Sequence, residues 1–238
     1  MRVRVRFTKS GVMRFVGHLD LMRYFQKAIR RAELPIRYSE GFSPHQILSF
    51  ASPLSVGLTS DGEYMEMELT DDGYRMSDVV EKLGSQMADG ITIVSAHILP
   101  QNAKNAMASL AAARYIVSYR GDDPFSDEDE LREAINGFYG KGLKIVVTKK
   151  TKKGERTLDI APLIYEFTCG TANSKIYYDM LVSAGSTENI RPELVIETFH
   201  KALGSDYDFS MLMIHRADMY EYEDNKLISM DMIYDNRD

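Results

Sequence analysis

The strongest constraint on the fold is an order of hydrophobic patterns that occurs twice along the chain. The segment RVRVRF at residues 2–7 alternates charged and apolar side chains, which predicts a half-buried strand. Residues 18–33 change to the helical period, and two strand patterns, a second helix pattern and a last strand pattern follow up to residue 100. The N-terminal part therefore predicts the order βαββαβ.

The same order recurs over residues 114–221, where RYIVSYR, LKIVVTK, KIYYDMLV and DFSMLMI have strand patterns and two amphipathic helix patterns lie among them. The stretch TLDIAPLIYEF has no clear assignment. Two such orders predict an α+β protein of two tandem ferredoxin-like (βαββαβ) modules with antiparallel sheets. We expect the first module at residues 1–100, a linker or short helix at 101–113, and the second module, with a basic insertion and an acidic tail, at 114–238.

The composition is that of a globular protein, since 44% of the 238 residues are hydrophobic and 27% are charged. One cysteine, Cys169, excludes an intramolecular disulfide and has no neighbouring base in the sequence. The sequence contains no zinc-ligand spacing, serine-hydrolase elbow, Walker loop or dinucleotide-binding motif. No stretch approaches the roughly 20 apolar residues of a membrane span, and no signal-peptide core follows Met1, so we expect a cytoplasmic protein.

The formal net charge of −6 hides a division along the chain. Residues 1–40 hold ten Lys or Arg and three acids, a net +7, whereas the remainder holds 19 Lys or Arg and 32 acids, a net −13. Because local fields rather than totals attract phosphates, the acidic total does not argue against an anionic ligand.

Four cations, Arg23, Lys27, Arg30 and Arg31, fall on the helical face opposite the apolar stripe of residues 18–33. They predict a phosphate-binding surface whose affinity weakens with salt and carries little sequence information. A face that serves only solubility is the alternative. A second basic cluster, which predicts either a phosphate-binding loop or a solvated one, comprises Lys149, Lys150, Lys152, Lys153 and Arg156.

The arginines of the first strand, Arg2, Arg4 and Arg6, are expected on an open sheet face beside Glu66 and Glu68. Opposite charges pair across strands there, so we interpret the arginines as structural partners rather than as a ligand site. RNA-recognition sheets expose aromatic side chains for base stacking. The phenylalanine of this strand falls on the apolar face, and we therefore do not expect RNA recognition by the sheet.

The segment RYSEGFSPHQ at residues 37–46 has the most unusual composition of the chain. Its glycine, proline, aromatics, histidine and small polar groups are typical of a ligand-binding connection between a helix and a strand. His18 and His45 could act as acid, base or ligand near neutral pH, although His18 near a helix start is also typical of a cap or packing residue. We predict a specific site without metal that comprises His18, Asp20, Tyr38, Ser39, Gly41, Phe42, Pro44 and His45.

Three elements together carry a family resemblance: His18-Leu19-Asp20 at a helix start, YSEGFSPH at residues 38–45, and a strand region with Pro53, Leu54, Gly57, Glu63 and Tyr64. In these elements the chain resembles the radical-SAM-linked proteins, the uncharacterised DUF2344 family. The segments LDIAPLI at 158–164 and RPELVI at 191–196 resemble it less sharply. Family members often carry a second proline after the Pro-His pair, where this chain has Gln46.

The resemblance implies a domain that occurs alone or fused after a radical-SAM domain, often one with a cobalamin-binding region. It also implies gene neighbours that encode an E/G-type ribonuclease and ribosomal proteins, which favours RNA or ribosome modification. We therefore predict a non-catalytic accessory or substrate-binding protein whose partners are a radical-SAM enzyme and RNA or a ribosomal component. SAM, the iron–sulfur cluster and, in some members, cobalamin are expected on that enzyme and not on this chain.

Two alternatives stay open. CRISPR repeat-cleaving endoribonucleases also pair two ferredoxin-like units and use histidine acid/base chemistry, although the glycine-rich loop near their C-terminus is missing from this sequence. The chain could thus be an RNA-processing enzyme of that kind. It could instead be a protein-interaction scaffold without nucleic-acid binding, which would associate through apolar surface.

Overall fold

The computed structural model describes residues 1–71, 73–140, 142–151, 154–186, 188–205 and 208–232, with the backbone alone for 149–151 and 154–156. Five α-helices and eleven β-strands lie in these residues. In chain order they are β1 (Arg2–Lys9), α1 (His18–Arg31), β2 (Leu48–Phe50), β3 (Thr59–Glu68), α2 (Met76–Gly84), β4 (Ile93–Ile98), α3 (Ala106–Ser109), β5 (Leu110–Tyr119), α4 (Glu128–Phe138), β6 (Val146–Thr151), β7 (Gly154–Asp159), β8 (Ile164–Ala172), β9 (Lys175–Ser183), α5 (Pro192–Leu203), β10 (Leu212–Glu223) and β11 (Lys226–Ser229). None of these helices is both long and apolar enough to span a lipid bilayer.

The chain divides into two compact units. Unit 1 comprises Met1–Ala111 and the described residues from Arg216 onward, and unit 2 comprises Ala112–His215. Strand β11 and the part of β10 from Arg216 onward therefore belong with unit 1, whereas the boundaries expected from the sequence place them in the second module. The structure shows the class α+β with antiparallel strand pairs. The assignment to two tandem ferredoxin-like modules stays a prediction.

Unit 1 is built on a sheet with the strand order β4-β1-β3-β10, in which β2 also pairs with β3 and β11 with β10. The apolar side chains of β1, Val3, Val5 and Phe7, are fully buried in one core with the apolar stripe of α1. The rings of Phe7 and Phe25 lie 4.7 Å apart between centroids. Burying a side chain of this size contributes about 1.5–3 kcal/mol. The periods of β1 and α1 thus position the helix with its cationic face away from the core.

The second face of β1 is not open, and that expectation is wrong. Arg4 is only 1% exposed, because residues of β10 and of the segment after β11 also lie against this face. The predicted pairing with Glu66 is confirmed for both Arg2 and Arg4. Glu68 differs from the expectation, since its carboxylate faces Arg37 at 3.5 Å.

Unit 2 contains the antiparallel strands β5, β9 and β8 in that order, and β6 and β7 form a separate two-stranded sheet. The segment LKIVVTK overlaps strand β6, as the sequence predicts, but β6 does not occupy the place next to β9. That place is taken by β8, which begins inside the unassigned stretch. The reason is local: β6 pairs with the residues that follow it, and closing so short a loop costs less entropy than a distant pairing.

The core of unit 2 is aromatic. The ring of Phe199 on α5 lies 5.3 Å from that of Phe138 on α4 and 5.6 Å from that of Phe167 on β8. Next to this cluster, the buried His200 has its Nε2 atom 3.0 Å from the hydroxyl of Tyr119. Burial lowers the pKa of His200, so the imidazole is held neutral within the core.

Candidate nucleic-acid interface

Helix α1 presents the four predicted cations to solvent. Its buried residues fall on one stripe, and Arg23, Lys27, Arg30 and Arg31 are all exposed. Two of the four are engaged within the protein: Arg23 contacts Asp20 at 3.3 Å, and Arg31 donates to the side chain and carbonyl of Gln86. Lys27 and Arg30 have no hydrogen-bond or ion-pair partner among the described residues. These two side chains can bind an external anion without breaking an internal contact.

A short hairpin, residues 37–47, follows α1 and contains the YSEGFSPH motif; we name it the Phe42 hairpin. Its base is joined to the end of β3, because the amide of Arg37 donates to the carbonyl of Glu68 and the amide of Glu68 donates to that of Ile47. Two further rungs link its arms, from the amide of Ile47 to the carbonyl of Arg37 at 2.9 Å and from the amide of Ser39 to the carbonyl of His45 at 2.8 Å. The motif is therefore an ordered projection from the sheet.

Side chains inside the Phe42 hairpin reinforce this backbone pairing. The hydroxyl of Ser39 accepts from the amide of His45 at 3.1 Å and lies 2.9 Å from its Nδ1 atom. Gly41 has a φ of +111°, a conformation that is strained for residues with a Cβ. These two features explain why the motif needs a serine six residues before the histidine and a glycine between them.

The tip of the Phe42 hairpin carries an aromatic side chain in solvent. Phe42 is fully exposed, and it makes no ring or cation contact with the described residues. Tyr38, on one arm, is 45% exposed. Pro44 and His45 are exposed as well. The Phe42 ring contributes nothing to the core and is accessible to a ligand.

Gln46 ties the Phe42 hairpin to the basic helix. Its Nε2 atom donates to the carbonyl of Gln26 on α1 at 3.2 Å and to the hydroxyl of Tyr38 at 3.4 Å. Gln26 immediately precedes Lys27. Sequence reasoning noted Gln46 only as a departure from the family's second proline, and it missed this contact because no local pattern indicates which helix carbonyl a glutamine will reach.

The structure does not join His18 or Asp20 to the Phe42 hairpin. His18 is half-buried, with its ring 5.6 Å from that of Phe50 in an edge-on contact, as expected of a packing residue. Asp20 is exposed and pairs with Arg23. No hydrogen bond, ion pair or ring contact links either residue to residues 37–47 in the described part of the chain. The predicted specific site therefore resolves into the hairpin and a separate helix start.

The second basic cluster lies at the turn between β6 and β7. Lys149 and Lys150 belong to β6, and the structure describes only their backbone; Lys152 and Lys153 lie outside the described residues. Their predicted role in phosphate binding stays a prediction.

A group of buried charges in unit 1 extends beyond the pairing with Glu66 that the sequence predicts. The guanidinium of Arg4 contacts Glu66 and Glu221, and Arg216 forms a two-point pair with Glu63 at 2.8 and 2.6 Å. Burial alone would lower the pKa of Arg4, but the two carboxylates outweigh it and raise that pKa. These ions are saturated by protein partners, so they are parts of the fold and not candidates for ligand binding.

Lys9 and Asp231 are two further charged residues of unit 1 with internal partners. Lys9 is 1% exposed and donates to the carbonyl of Val16 at 2.8 Å, and burial lowers its pKa. Asp231 accepts from Arg6 at 3.0 Å and also bonds Ser95 and His97. Burial opposes ionisation of Asp231, but these hydrogen bonds prevail and hold its pKa well below the usual range. Each cation of β1 thus has a partner inside unit 1.

Taken together, these features define an α+β protein whose first unit combines a buried ionic sheet face with an exposed basic helix and an aromatic-tipped hairpin. Residues 2–192 match the family model described as uncharacterized protein conserved in bacteria (DUF2344), and the chain belongs to that family. The resemblance inferred from the motifs is confirmed at this level. The link to radical-SAM enzymes stays a prediction.

No curated protein matches the chain. Among solved structures, the crystal structure of a Cbf5-Nop10-Gar1 complex contains a similar chain, with a TM-score of 0.50 and 15% identity. The similarity covers 98% of this chain and 54% of that one, so the present chain spans about half the length of its structural relative. At this identity the likeness concerns the fold alone.

Proposed function

We propose that this protein binds RNA and presents it to a separate radical-SAM enzyme, without catalysing a reaction itself, in RNA or ribosome modification. The observation that supports the RNA part is the pair Lys27 and Arg30, which are exposed on a helix that adjoins an ordered hairpin and have no partner within the described ranges. Phosphate contacts from such cations supply sequence-independent affinity. The proposal makes the protein cytoplasmic and places SAM, the iron–sulfur cluster and, where present, cobalamin on the partner.

The residues of this chain also support a non-catalytic role. Burial raises the pKa of Cys169, which disfavours the thiolate that nucleophilic catalysis requires. The buried ions of unit 1 are paired with one another. What the described residues offer to a ligand is surface charge and an exposed ring, which are binding features.

We also propose the finer fold assignment. In chain order, unit 1 contains β1, α1, β2, β3, α2 and β4, the ferredoxin-like succession. When the β6–β7 hairpin is set aside as an insertion, the remaining elements β5, α4, β8, β9, α5 and β10 have the same succession. This supports two modules of one kind with the basic cluster in an insertion of the second.

The RNA proposal is tested by fluorescence anisotropy with labelled total cellular tRNA and rRNA across a salt series, with duplex DNA for comparison. Reversing both free cations, in the variant K27E/R30E, should weaken RNA binding. The slope of log affinity against log salt should fall by about 1.4, since each phosphate contact with a single strand contributes roughly 0.7. The matched control is K104E/K226E, which changes the net charge equally at two exposed lysines away from α1.

An unchanged salt slope in K27E/R30E would exclude α1 as the phosphate-binding surface. Equal losses in both variants would mean that net charge alone drives binding. Absence of RNA binding by the unaltered protein at low salt would refute the proposal and favour the interaction scaffold.

One observation keeps the endoribonuclease as a second candidate. His45 is exposed, and its Nδ1 atom is held by Ser39, so the imidazole is oriented at the protein surface. A metal-free RNA cleavage assay with H18A and H45A separates the two functions. A binding protein should leave RNA intact, and cleavage that disappears in H45A would replace the proposal by an enzymatic one.

A further inference from the structure

We propose that Phe42 is a stacking platform for an unpaired base, so that the RNA recognised by this protein is single-stranded where it meets the Phe42 hairpin. This inference rests on the proposed function and specifies its substrate class. It adds base contact by an aromatic ring to phosphate contact by α1.

The exposure of Phe42 distinguishes it from other surface aromatics of unit 1. Phe15 is also exposed, but the guanidinium of Arg14 lies 4.7 Å from its ring centroid. The hydroxyl of Tyr24, another aromatic residue, accepts from the amide of Ala88 at 2.6 Å, which engages its polar end. Phe42 has both faces of its ring in solvent and no such neighbour among the described residues. An aromatic ring with free faces can stack on any base.

The Phe42 hairpin restricts the backbone that carries this ring before a ligand arrives. The two backbone rungs, the Ser39–His45 contact and the positive φ of Gly41 restrict the loop that carries the ring. A backbone that is already ordered loses little conformational entropy on binding. The feature is therefore better suited to capture a ligand than an aromatic residue on an unconstrained loop would be.

The Phe42 hairpin, which carries the aromatic ring, is hydrogen-bonded to α1, which carries the free cations. Gln46 bonds the carbonyl of Gln26, which lies one residue before Lys27 and one turn before Arg30. Sites for single-stranded nucleic acid combine a positive surface that follows the backbone with aromatic side chains that stack on the bases. In a duplex the bases are stacked on one another and closed to such a ring. The combination of free cations and a free ring thus favours a single strand.

The same cations distinguish RNA from an apolar protein partner. A partner protein with an apolar groove for the hairpin tip would gain no binding energy from Lys27 and Arg30. Its binding would depend only weakly on salt. A polyanion with exposed rings satisfies both features at once. Protein docking is accordingly an outcome that the experiment must be able to detect.

The experiment compares a labelled RNA single strand of about 12 nucleotides, within the site size of 4–16 typical of such proteins, with the duplex of the same sequence. The variant F42A should bind the single strand about 5- to 150-fold more weakly, which corresponds to a stacking contribution of about 1–3 kcal/mol per base. Its affinity for the duplex should stay within about twofold. The control F15A removes an exposed ring outside the hairpin and should alter neither affinity.

The absence of tryptophan from the chain allows a direct optical readout. In F42W the single indole should be quenched by the single strand and much less by the duplex, with affinity for the single strand retained. In F15W it should not be quenched. Because residue 42 is fully exposed, F42A and F42W should unfold at the urea concentration of the unaltered protein. That result would show that a loss of RNA affinity is not a loss of folding.

The outcomes separate this inference from the proposed function. If K27E/R30E weakens binding while F42A leaves both affinities unchanged, or lowers them equally, stacking is overturned and RNA binding stands. If the unaltered protein binds neither the single strand nor the duplex, the stacking inference and the proposed function both fail. Salt-insensitive capture of the radical-SAM enzyme that is lost in F42A would identify the hairpin as a protein-docking element and would also overturn the inference.

Discussion

The first 31 residues contain two runs of cations, and the structure uses them in opposite ways. On β1 the cations lie against carboxylates or a carbonyl, and Arg4 is 1% exposed. On α1 they face solvent, and two have no partner in the part of the chain that the structure describes. The difference follows from geometry, because both faces of a central strand are covered by neighbouring elements, whereas a helix packs only one stripe against the core. A basic segment is therefore evidence of a ligand only when its charges remain unpaired.

The formal charge of residues 1–40 is larger than the positive charge that is accessible to an external ligand. Residues 1–40 carry +7 formally, but the positive charges on β1 are neutralised or enclosed within unit 1. The field available to an external anion comes from α1 and its surroundings. Three substitutions of graded severity test this separation of structural from available charge.

The largest effect is expected at Arg4. The substitution R4A leaves Glu221 buried without its cation and Glu66 with Arg2 alone, and removing one member of a buried ionic group typically costs about 3–5 kcal/mol. The matched substitution on α1, K27A, should change the free energy of unfolding by less than about 0.5 kcal/mol. Urea unfolding followed by circular dichroism measures both values.

The charge itself is tested by removing the whole buried group at once. The variant R4M/E66Q/E221Q leaves no fully buried ion unpaired, since Arg2, which loses Glu66, is partly exposed to solvent. It should recover much of the stability lost in R4A, because the penalty arises mainly from buried charge without a partner. If R4A cost no more than K27A, the distinction between the two cationic runs would be wrong.

An intermediate effect is expected at Asp231, the partner of Arg6. The fold lowers the pKa of Asp231, so the carboxylate contributes stability that is fully present above its ordinary pKa of about 3.9 and is lost as the pH falls toward the folded value. The variant D231N should therefore lose about 1–2 kcal/mol at pH 7, since hydrogen bonds to a charged group are weakened. It should also show a flatter decline in stability below pH 4 than the unaltered protein.

The control for D231N is again K27A, whose free energy of unfolding should change with pH as that of the unaltered protein does. Stability measured by urea titration from pH 7 to pH 3 distinguishes them. A D231N curve parallel to that of the unaltered protein would show that the pairing with Arg6 contributes no pH-dependent stability.

These contrasts also show what sequence patterns can predict. The alternation of RVRVRF and the helical period of residues 18–33 are local, and they correctly gave the buried faces of β1 and α1. The partners of the strand arginines are not local: Glu221 and Arg4 are 217 residues apart. The open face was expected because nothing near β1 in the sequence indicates that β10 and the segment after β11 return to it.

The same distinction between local patterns and contacts of distant residues applies to the candidate site. The Ser39 and Gly41 positions of the motif could be singled out from composition, since loops of glycine, proline and small polar residues are common at ligand sites. The contact of Gln46 with α1 and the free state of Lys27 and Arg30 required the structure. Strand β8 was missed for a related reason, because TLDIAPLIYEF contains a proline and mixed periods across a turn, which conceal where the strand begins.

The smallest effect is expected at Asp20, where the pairing on α1 is weakest. Asp20 and Arg23 are 71% and 70% exposed, and a pair of this kind contributes little. The variant D20N should lose only about 0.3–1 kcal/mol, from the helix-dipole contribution of a first-turn carboxylate. RNA affinity should rise by less than about tenfold, because Arg23 is released and a negative charge is removed from the phosphate-binding face. The control D78N removes the corresponding pair with Arg75 at the start of α2 and should leave RNA affinity unchanged. A fall in affinity in D20N would instead place Asp20 in direct contact with the ligand, and the helix start would rejoin the Phe42 hairpin as one recognition site.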